Sequence, residues 1–403
     1  MSEREVAFNC LCKITIDRQF SNIVLKNCQD NSPLVTQLVY GTLRNYRLLR
    51  AVWSKYARKM PPVKICQLLD MATYEILLLD KPEYATVNEI VNIAKKIKAG
   101  SQVNFVNAIL RKVSKDDIEN LPLAVRTSHP DWLVSLWTAH YGQEICEKIC
   151  FDNLNDGKVA LRANSLLTDE KKLLEDDRFY RGFVDGCLYF KGNIIETDYF
   201  KNNQVIIQSE SSQLAVKEIG VRENQTILDL CAAPGSKTIQ LAMELKNTGL
   251  VISNDIYDFR VDLIKQNVER YGLYNVVTSI YDGTKIDEKY QKNSFDVVLL
   301  DAPCSGLGTL KHKPEIKINT TPQDLDDLAD LQKQLLKAAA LMVKKDGVLL
   351  YSTCTLNKKE NEKQVQWFLK EYPNFTLESE KTIFPFDYDS DGFYIAKLIK
   401  SAN

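Results

Sequence analysis

Apolar residues recur at three- and four-residue spacing through the first third of the chain. This spacing places them on one face of a helix, and breakers such as Pro61-Pro62 and Lys81-Pro82 separate the segments that show it. The pattern predicts helices over residues 4–16, 34–57, 63–79, 87–97 and 104–113. Residues 1–140 are therefore predicted to form a helical bundle.

The pattern changes in the middle of the chain. From about residue 158, short alternating segments at 159–162 and 187–190 flank a helix-like stretch at 168–174, which is typical of a small α+β module. From residue 225, strand-like and helix-like segments alternate regularly, and this alternation predicts a mostly parallel, doubly wound α/β sheet. The sequence thus predicts three domains, over residues 1–140, 141–215 and 216–403.

Composition excludes several classes of protein. Apolar residues make up 45% and charged residues 26% of the 403, as in ordinary globular proteins. No apolar run is long enough to span a membrane, and the first residues lack the apolar stretch of a signal peptide, so we expect a cytoplasmic protein with no membrane partner. The ten cysteines include no Cys-x-x-Cys pair and there are only three histidines, which argues against a metal site and against a disulfide framework.

The net charge of −1 conceals a basic segment. Residues 31–69 contain no Asp or Glu, whereas seven Lys and Arg residues lie there. Four of these cations share one face if the segment is a continuous helix: Arg44, Arg47, Lys55 and Arg58. We predict that this face binds RNA phosphates, and a merely solvated surface helix is the alternative.

Two cysteines each follow a predicted strand of the α/β sheet. Cys304 comes after the apolar run 297–300, and Cys354 comes after the run 348–351. Ligands of open α/β sheets bind at the carboxyl ends of such strands. The two thiols are therefore predicted to face one pocket.

A second group of residues surrounds the first strand of this sheet, at 226–230. The strand ends in small residues that let a ligand approach the backbone, and the next helix offers free N–H groups. No G-x-G-x-x-G is present, which disfavours a dinucleotide. Three later strands end near Asp255, Asp282 and Asp301, and Asp255 stands where a carboxylate can accept both ribose hydroxyls. We predict a nucleoside site lined by these three carboxylates and by Cys231, Ala232, Ala233, Pro234, Gly235, Ser236 and Lys237.

Three motifs carry a family resemblance: CAAPGSK at 231–237, DAPCSGLG at 301–308, and YSTCTLN at 351–357 followed by Glu360-Asn361-Glu362. Together they resemble the RsmB/NOP family of RNA cytosine-C5 methyltransferases. Residues 38–44, 86–89 and 105–111 are similar to the NusB-like helical domain of the family's ribosomal-RNA branch, so the resemblance covers nearly the whole chain. Two positions depart from the family pattern, because Ser236 replaces a usual glycine and Ser209 replaces a common aspartate.

The resemblance implies an all-α NusB-like bundle, a small α+β RRM-like module and a Rossmann-like class I methyltransferase domain. It implies S-adenosyl-L-methionine as cofactor and methylation of carbon 5 of cytosine 967 in 16S ribosomal RNA, through a covalent bond between a cysteine and carbon 6. It also implies that Cys354 is the nucleophile, that Cys304 assists release and that Asp301 contacts the cofactor or the base. 16S ribosomal RNA is then the partner, and we expect a monomer.

Residue types alone leave three alternatives open. Either thiol could attack carbon 6, since DNA enzymes of similar chemistry use a Pro-Cys thiol, and only the family's Thr-Cys motif favours Cys354. A non-catalytic RNA-binding factor is a competing class, against which the intact cysteine pair argues. A methyltransferase acting on transfer RNA is the other alternative, and the NusB-like half favours ribosomal RNA.

Overall fold

The computed structural model describes residues 1–28, 32–79, 81–118, 121–388 and 390–401. It comprises two compact units, Met1–Asp156 with Leu310–Thr320 and Gly157–Thr309 with Thr321–Asn403. The predicted fold class is confirmed, because a helical bundle, a small α+β module and a mostly parallel sheet follow one another. The small module and the large sheet belong to one of these units, and the three domain boundaries stay a prediction.

The first unit is helical. Its core is a continuous cluster of buried side chains that includes Leu11, Leu38, Leu49 and Trp53. The apolar spacing predicted most of its helices, and the six-residue helix α2 was too short for that spacing to reveal. The helices are α1 (Glu3–Thr15), α2 (Ser21–Lys26), α3 (Pro33–Arg44), α4 (Tyr46–Ser54), α5 (Val63–Leu78), α6 (Glu83–Lys96), α7 (Gln102–Leu110), α8 (Leu123–Arg126), α9 (Asp131–Tyr141) and α10 (Gln143–Asp152).

The prediction of one helix over residues 34–57 is wrong, because the chain breaks at Asn45. This residue leaves helical backbone geometry (φ −108°, ψ 13°), and its side-chain amide donates a 2.9 Å hydrogen bond to a carbonyl one turn earlier. Such a bond competes with the helical ladder, although the apolar spacing continues across the break. The predicted cationic face is thus divided between α3, α4 and the segment after α4, which carry Arg44, Arg47, and Lys55 with Arg58.

The small module is an antiparallel sheet with helices in its two crossovers. Its elements follow the order β-α-β-β-α-β, and the strand order in the sheet is β2-β3-β1-β4. This arrangement is the one shared by RRM-like domains, in agreement with the prediction. The elements are β1 (Ala160–Ala163), α11 (Glu170–Leu173), β2 (Phe179–Arg181), β3 (Cys187–Phe190), α12 (Asp198–Lys201) and β4 (Val205–Ile207).

The rest of the second unit contains a seven-stranded sheet in the order β10-β11-β9-β8-β5-β6-β7. Strands β5 to β9 pair in parallel, and β11 runs antiparallel to both β9 and β10. The elements are α13 (Glu210–Ile219), β5 (Thr226–Asp229), α14 (Ser236–Glu244), β6 (Leu250–Asp255), α15 (Asp258–Arg270), β7 (Val276–Ile280), β8 (Phe295–Asp301), α17 (Pro322–Met342), β9 (Val343–Thr353), α18 (Glu362–Glu371), β10 (Phe375–Ile383) and β11 (Phe393–Lys400). Helix α16 (Ile316–Asn319) falls between β8 and α17 in the chain but belongs to the first unit.

The topology fixes where ligands bind. Strand β5 lies between β6 and β8, so the chain order of the sheet reverses there and the carboxyl ends of these strands border a crevice. Strand β10 was not predicted from the sequence. It is an edge strand whose exposed side chains are largely polar or charged, and this composition hides it from a search for apolar runs.

One segment of the sheet domain, residues 310–320, belongs to the helical unit. Lys311 pairs with Asp152 at 2.7 Å, and the carboxylate of Glu315 accepts hydrogen bonds from the backbone N–H and hydroxyl of Ser21 at 3.0 and 2.9 Å. Lys317 is buried and donates a 2.8 Å hydrogen bond to the carbonyl of Arg44. The segment is therefore tied into the bundle by buried polar contacts.

Candidate active site

The two cysteines singled out from the sequence lie side by side. Strands β8 and β9 pair in parallel, with Asp301 opposite Ser352, so the loops that follow them leave the same edge of the sheet. The Sγ atoms of Cys304 and Cys354 are 3.4 Å apart, and both residues are partly exposed. The prediction that both thiols face one site agrees with this geometry.

A buried carboxylate holds the Cys304 loop in place. Glu360, with no exposed surface, accepts hydrogen bonds from the backbone N–H and hydroxyl of Ser305 at 2.9 and 2.6 Å. The amides of Asn357 and Gln332 donate to the same carboxylate at 2.9 and 3.0 Å. Sequence reasoning gave Glu360 no role, although it lies in the last of the family motifs.

The two cysteine loops are also joined directly. The hydroxyls of Ser305 and Thr355 are 2.7 Å apart, and the N–H of Gly308 donates a 3.0 Å hydrogen bond to the carbonyl of Cys354. A Cβ at Gly308 would lie 1.9 Å from the carbonyl oxygen of Gly392, so only glycine permits this approach. The geometry of the thiols therefore depends on close backbone packing.

The surroundings of Cys304 favour its protonated form. The hydrogen bond with Cys354 raises the pKa of Cys304, and burial and the negative charges of Cys354 and Glu360 raise it further. Cys304 is thus held as a thiol, because ionising it beside a Cys354 thiolate would place two like charges together. A thiol in this position can donate a hydrogen bond to its neighbour.

An ion pair lies at the end of β8. Lys237 Nζ is 2.7 Å from Asp301 Oδ2, and the hydroxyl of Ser352 donates to Asp301 Oδ1 at 2.8 Å. The Lys237 side chain is only 9% exposed, whereas that of Asp301 is 31% exposed. Burial would lower the pKa of Lys237, but Asp301 outweighs this effect and the pKa is raised. The pair therefore presents a fixed carboxylate at the edge of the crevice.

The motif at 231–237 forms the turn into α14. Gly235 directly precedes the first residue of that helix, Ser236, and has a φ of +102°, which favours glycine. A Cβ added at Gly235 would lie 3.4 Å from Ile264. Burial raises the pKa of the Cys231 thiol, which fits a wall rather than a reactive group. The turn leaves backbone N–H groups at a helix start, as a bound carboxylate requires.

The predicted acids occupy different surroundings. Asp255, at the end of β6, is buried and accepts hydrogen bonds from the N–H groups of Ala233 and Tyr257 at 3.3 and 3.4 Å. It thus touches the cofactor motif directly. Asp282 uses Oδ1 to accept from both the N–H and the hydroxyl of Thr284, at 2.9 and 2.7 Å, so it caps the turn that follows.

Sequence reasoning missed one acid of the crevice, Asp229. It ends β5, and its Oδ2 accepts a 2.7 Å hydrogen bond from the hydroxyl of Thr238. Its buried Oδ1 has no hydrogen-bond partner among the described residues. Burial raises the pKa of Asp229 to about 7, and the charges of Asp301 and Asp255 add to the effect while Thr238 opposes it. Its position at a strand end was the available signal.

The buried Oδ1 of Asp229 bears on whether S-adenosyl-L-methionine fits the crevice. The cofactor carries an ammonium group, a carboxylate and a ribose diol, and the crevice offers a buried unpartnered carboxylate oxygen, a helix start and the carboxylate of Asp255. Each of these three groups of the cofactor thus has a complementary group in the chain. The residues fit the cofactor.

The predicted RNA-binding cations differ in their surroundings. Arg44 is buried, pairs with Asp156 and donates a 3.1 Å hydrogen bond to the carbonyl of Lys311. Arg47 pairs with Asp131 at 2.8 Å. Lys55 and Arg58 are exposed after the end of α4. Binding of RNA stays a prediction for all four, and the structure favours the last two.

Among the residues that the structure describes, no group of three or more His, Cys, Asp or Glu side chains is arranged to hold a metal ion. In the same part of the chain, every helix is too short or too polar to cross a membrane. Cys146 and Cys150 of α10 are fully buried core side chains.

Comparison with known proteins agrees with this geometry. Residues 217–399 match the family described as 16S rRNA methyltransferase RsmB/F, and residues 1–115 match the NusB family. The chain is 35% identical to the probable ribosomal RNA small subunit methyltransferase B of Bacillus subtilis (strain 168), over 99% of each chain. It is 29% identical to the protein of the same description from Synechocystis sp. PCC 6803, over the whole of both chains.

Solved structures resemble the fold. The structure called PH0851 superposes with a TM-score of 0.81 at 24% identity over 99% of each chain. NSun6 from Pyrococcus horikoshii, solved with SFG, has a TM-score of 0.62 at 21% identity and covers 68% of this chain and 99% of its own. Both therefore share its architecture.

Proposed function

The chain belongs to the 16S rRNA methyltransferase RsmB/F family and is an S-adenosylmethionine-dependent rRNA methyltransferase, and from this premise we propose that it methylates carbon 5 of cytosine. The observation that carries the proposal is the 3.4 Å separation of the two thiols beside the Lys237–Asp301 pair. Carbon 5 of cytosine is a poor nucleophile until a thiolate adds to carbon 6, so this reaction needs a thiol in the site.

We propose that the crevice residues hold the cofactor group by group. Asp255 accepts the ribose hydroxyls, the turn at 231–237 binds the carboxylate, and Asp229 Oδ1 accepts from the ammonium group. Asp282 borders the same crevice from the end of β7. The bound cofactor supplies an electrophilic methyl group. The RNA substrate supplies the nucleophilic carbon.

The thiols divide the covalent chemistry between them. Cys354 Sγ forms a bond to carbon 6, and the electron pair displaced from the carbon 5–carbon 6 double bond then forms the new bond from carbon 5 to the methyl group that the cofactor would supply. The bond between that methyl group and the donor sulfur breaks at the same time, and its electron pair stays on the sulfur of the leaving group. Loss of the carbon 5 proton to a base and cleavage of the Sγ–carbon 6 bond restore the ring and release Cys354 as a thiolate. Cys304, kept protonated, donates a hydrogen bond to that thiolate and so assists its departure.

Asp301 is proposed to contact the pyrimidine edge during the attack. Its carboxylate is the more exposed member of the pair, and Lys237 and Ser352 each hold one of its oxygens. Because both partners fix its position, the carboxylate needs no rearrangement when charge develops on the ring. Lys237 acts through Asp301 as a positioning residue.

We propose that the methylated base is cytosine 967 of 16S ribosomal RNA. Two observations support it: the relatives over the full length are called ribosomal RNA small subunit methyltransferase B, and the amino-terminal residues match the NusB family. We further propose that the protein acts as a monomer, since the thiols and the crevice acids all come from one chain.

The thiol assignment is tested by two single variants incubated with 16S RNA and radiolabelled cofactor. We expect Cys354→Ala to lose methylation and to form no covalent adduct. Cys304→Ala should lose turnover but accumulate a protein–RNA adduct that survives denaturing electrophoresis, because attack precedes release. Cys12→Ala, at a partly buried thiol of the helical unit, is the matched control.

The opposite pattern, an adduct from Cys354→Ala and none from Cys304→Ala, would reverse the two roles. Bisulfite sequencing of total RNA from cells with and without the gene then locates the modified base. Protection of a transfer RNA cytosine, with 16S RNA unchanged, would replace the ribosomal target with the transfer RNA alternative.

A further inference from the structure

A pocket in the helical unit lies between α7 and the segment that joins α4 to α5. Its volume is about 530 Å³, within the range of small-molecule sites. One wall is a single face of α7, and the other is the connecting segment with its two prolines. We call it the α7 pocket, and its lining residues are Tyr56, Arg58, Lys59, Met60, Pro61, Pro62, Gln102, Phe105, Ala108, Ile109 and Lys112.

The charge of the α7 pocket has one sign. Arg58, Lys59 and Lys112 line it and are exposed, and no acidic side chain is among its described lining residues. Within the part of the chain that the structure describes, none of the three cations forms an ion pair with a carboxylate. Arg58 and Lys59 also lie in the acid-free stretch 31–69. The pocket therefore suits an anionic ligand.

The apolar part of the α7 pocket suits a flat ring. Phe105 and Tyr56 are partly buried beside it, and Met60 is 50% exposed. Aromatic and other flat apolar surfaces next to cations are the combination by which proteins bind unpaired nucleotides, since bases stack on rings while phosphates meet Lys and Arg. A base inside a duplex is stacked on its neighbours and cannot enter such a pocket.

We propose that the α7 pocket binds an unstacked nucleotide of single-stranded RNA, with the base against Phe105 and Tyr56 and the adjoining phosphates on Arg58, Lys59 and Lys112. The proposal rests on the proposed function, in that RNA is the substrate. It moves the RNA contact of this unit away from Arg44 and Arg47, which have carboxylate partners, to cations that flank an open cavity.

The test measures binding of a fluorescein-labelled oligouridylate of about ten nucleotides at several salt concentrations. In the pocket variant, Arg58, Lys59 and Lys112 are all changed to Gln. Three lost phosphate contacts, each contributing about 0.7 for a single strand, should lower the slope of log affinity against log salt by about two. At physiological salt we expect affinity to fall by about tenfold or more.

A matched control removes the same charge elsewhere in the unit. Lys13, Lys26 and Lys95 are exposed residues of α1, α2 and α6 outside the pocket, and they are changed to Gln together. A slope change as large in this control as in the pocket variant would overturn the proposal, because it would mean that total charge alone drives binding.

The aromatic contribution is tested by Phe105→Leu, which keeps an apolar side chain and removes the ring face. Affinity for the single strand should fall about fivefold or more with no change of salt slope, because no phosphate contact is lost. Affinity for a duplex of the same length should be unaffected. An equal loss for both RNA forms, or no loss for either, would contradict a stacked base in the pocket.

Methylation kinetics separate this proposal from the proposed function. If the pocket binds substrate RNA, the triple variant should raise KM with kcat unchanged, since the thiols are intact. Wild-type protein that binds the oligonucleotide but methylates no RNA would refute the proposed function and leave the pocket standing. Wild-type protein that methylates RNA while the pocket variants behave like the control would refute the pocket alone.

Discussion

Replacing Glu360 tests whether a buried carboxylate sets the position of the Cys304 loop. Oε1 accepts from the Ser305 hydroxyl and Asn357, and Oε2 accepts from the Ser305 N–H and Gln332. In Glu360→Gln the new NH₂ group is best placed at the Oε1 side, because the Ser305 hydroxyl can rotate to accept from it. Only the bond from Asn357 is then lost outright.

The structure sets the size of the effect. A hydrogen bond to a charged group contributes about 1.5–3 kcal/mol, so Glu360→Gln should cost about 2 kcal/mol of unfolding free energy. Glu360→Ala removes the acceptor of all four donors in the interior and should cost at least about 4 kcal/mol, although the Ser305 hydroxyl and the Gln332 amide keep contacts with Thr355 and with the carbonyl of Pro303. For a domain of this size, each kcal/mol lowers Tm by about 2–4 °C. The Ala variant should therefore melt at least about 8 °C below wild type.

Activity should fall more steeply than stability. The Ser305 N–H and hydroxyl are the anchors of the loop that carries Cys304, and a displacement of about 1 Å in a reacting group costs about a hundredfold in rate. Differential scanning fluorimetry gives Tm, and initial rates of methyl transfer at a temperature below both transitions give kcat. Glu371→Gln, at an exposed carboxylate ending α18, is the control.

Two outcomes would refute this reasoning. Glu360→Ala with the Tm and kcat of the Glu371→Gln control would mean that the four hydrogen bonds contribute nothing to the loop. A fall in Tm with kcat unchanged would mean that they stabilise the fold without positioning the thiol.

The remaining predictions concern two acids of the crevice. Folding favours the protonated form of Asp229, whose pKa is raised to about 7, so the free protein loses stability as pH rises from about 4 to about 7. Asp229→Asn cannot ionise and so lacks this loss of stability. The urea midpoint of Asp229→Asn minus that of wild type should therefore increase between pH 5 and pH 8, and a difference that stays constant with pH would contradict the prediction. Asp255→Ala should weaken cofactor binding in calorimetry with circular dichroism unchanged, whereas Asp258→Ala, at an exposed acid of α15, should not. Equal affinities for these two variants would remove Asp255 from the ribose.

The site was predictable from sequence wherever local signals coincide with topology. Strands β8 and β9 each contain an apolar run, at 297–300 and 348–351, so their carboxyl ends were placed within two residues, although β9 begins five residues earlier than its run. Parallel pairing then brings Cys304 and Cys354 together. The choice among the crevice acids was not predictable in this way. Every strand-end aspartate looks alike in sequence, yet Asp282 caps its own turn, while Asp229 keeps a buried oxygen that has no hydrogen-bond partner among the residues the structure describes.

The basic segment shows what local patterns cannot reveal. Helical spacing gave Arg44 an exposed phosphate-binding role, but the structure buries it against residues far along the chain. Its partners, Asp156 and Lys311, are more than a hundred residues away in the sequence and come close only in the folded protein, so the sequence around residue 44 does not indicate them. The break at Asn45 was equally hidden, because the apolar spacing continues across it. Charge density located the basic region and could not choose the cations that face water.

The segment 310–320 has a consequence for how the gene can be divided. A fragment ending at residue 156 would lack Lys311 and Glu315, and would leave Asp152 and Ser21 without these partners. The complementary fragment would expose the segment 310–320 to water, although Lys311 and Lys317 of this segment are buried in the intact protein. A chimaera that exchanges only the amino-terminal stretch would therefore combine a bundle with a segment 310–320 from a different protein. Because the helical unit includes residues from within the methyltransferase sequence, the two parts have to be expressed and exchanged together as one gene.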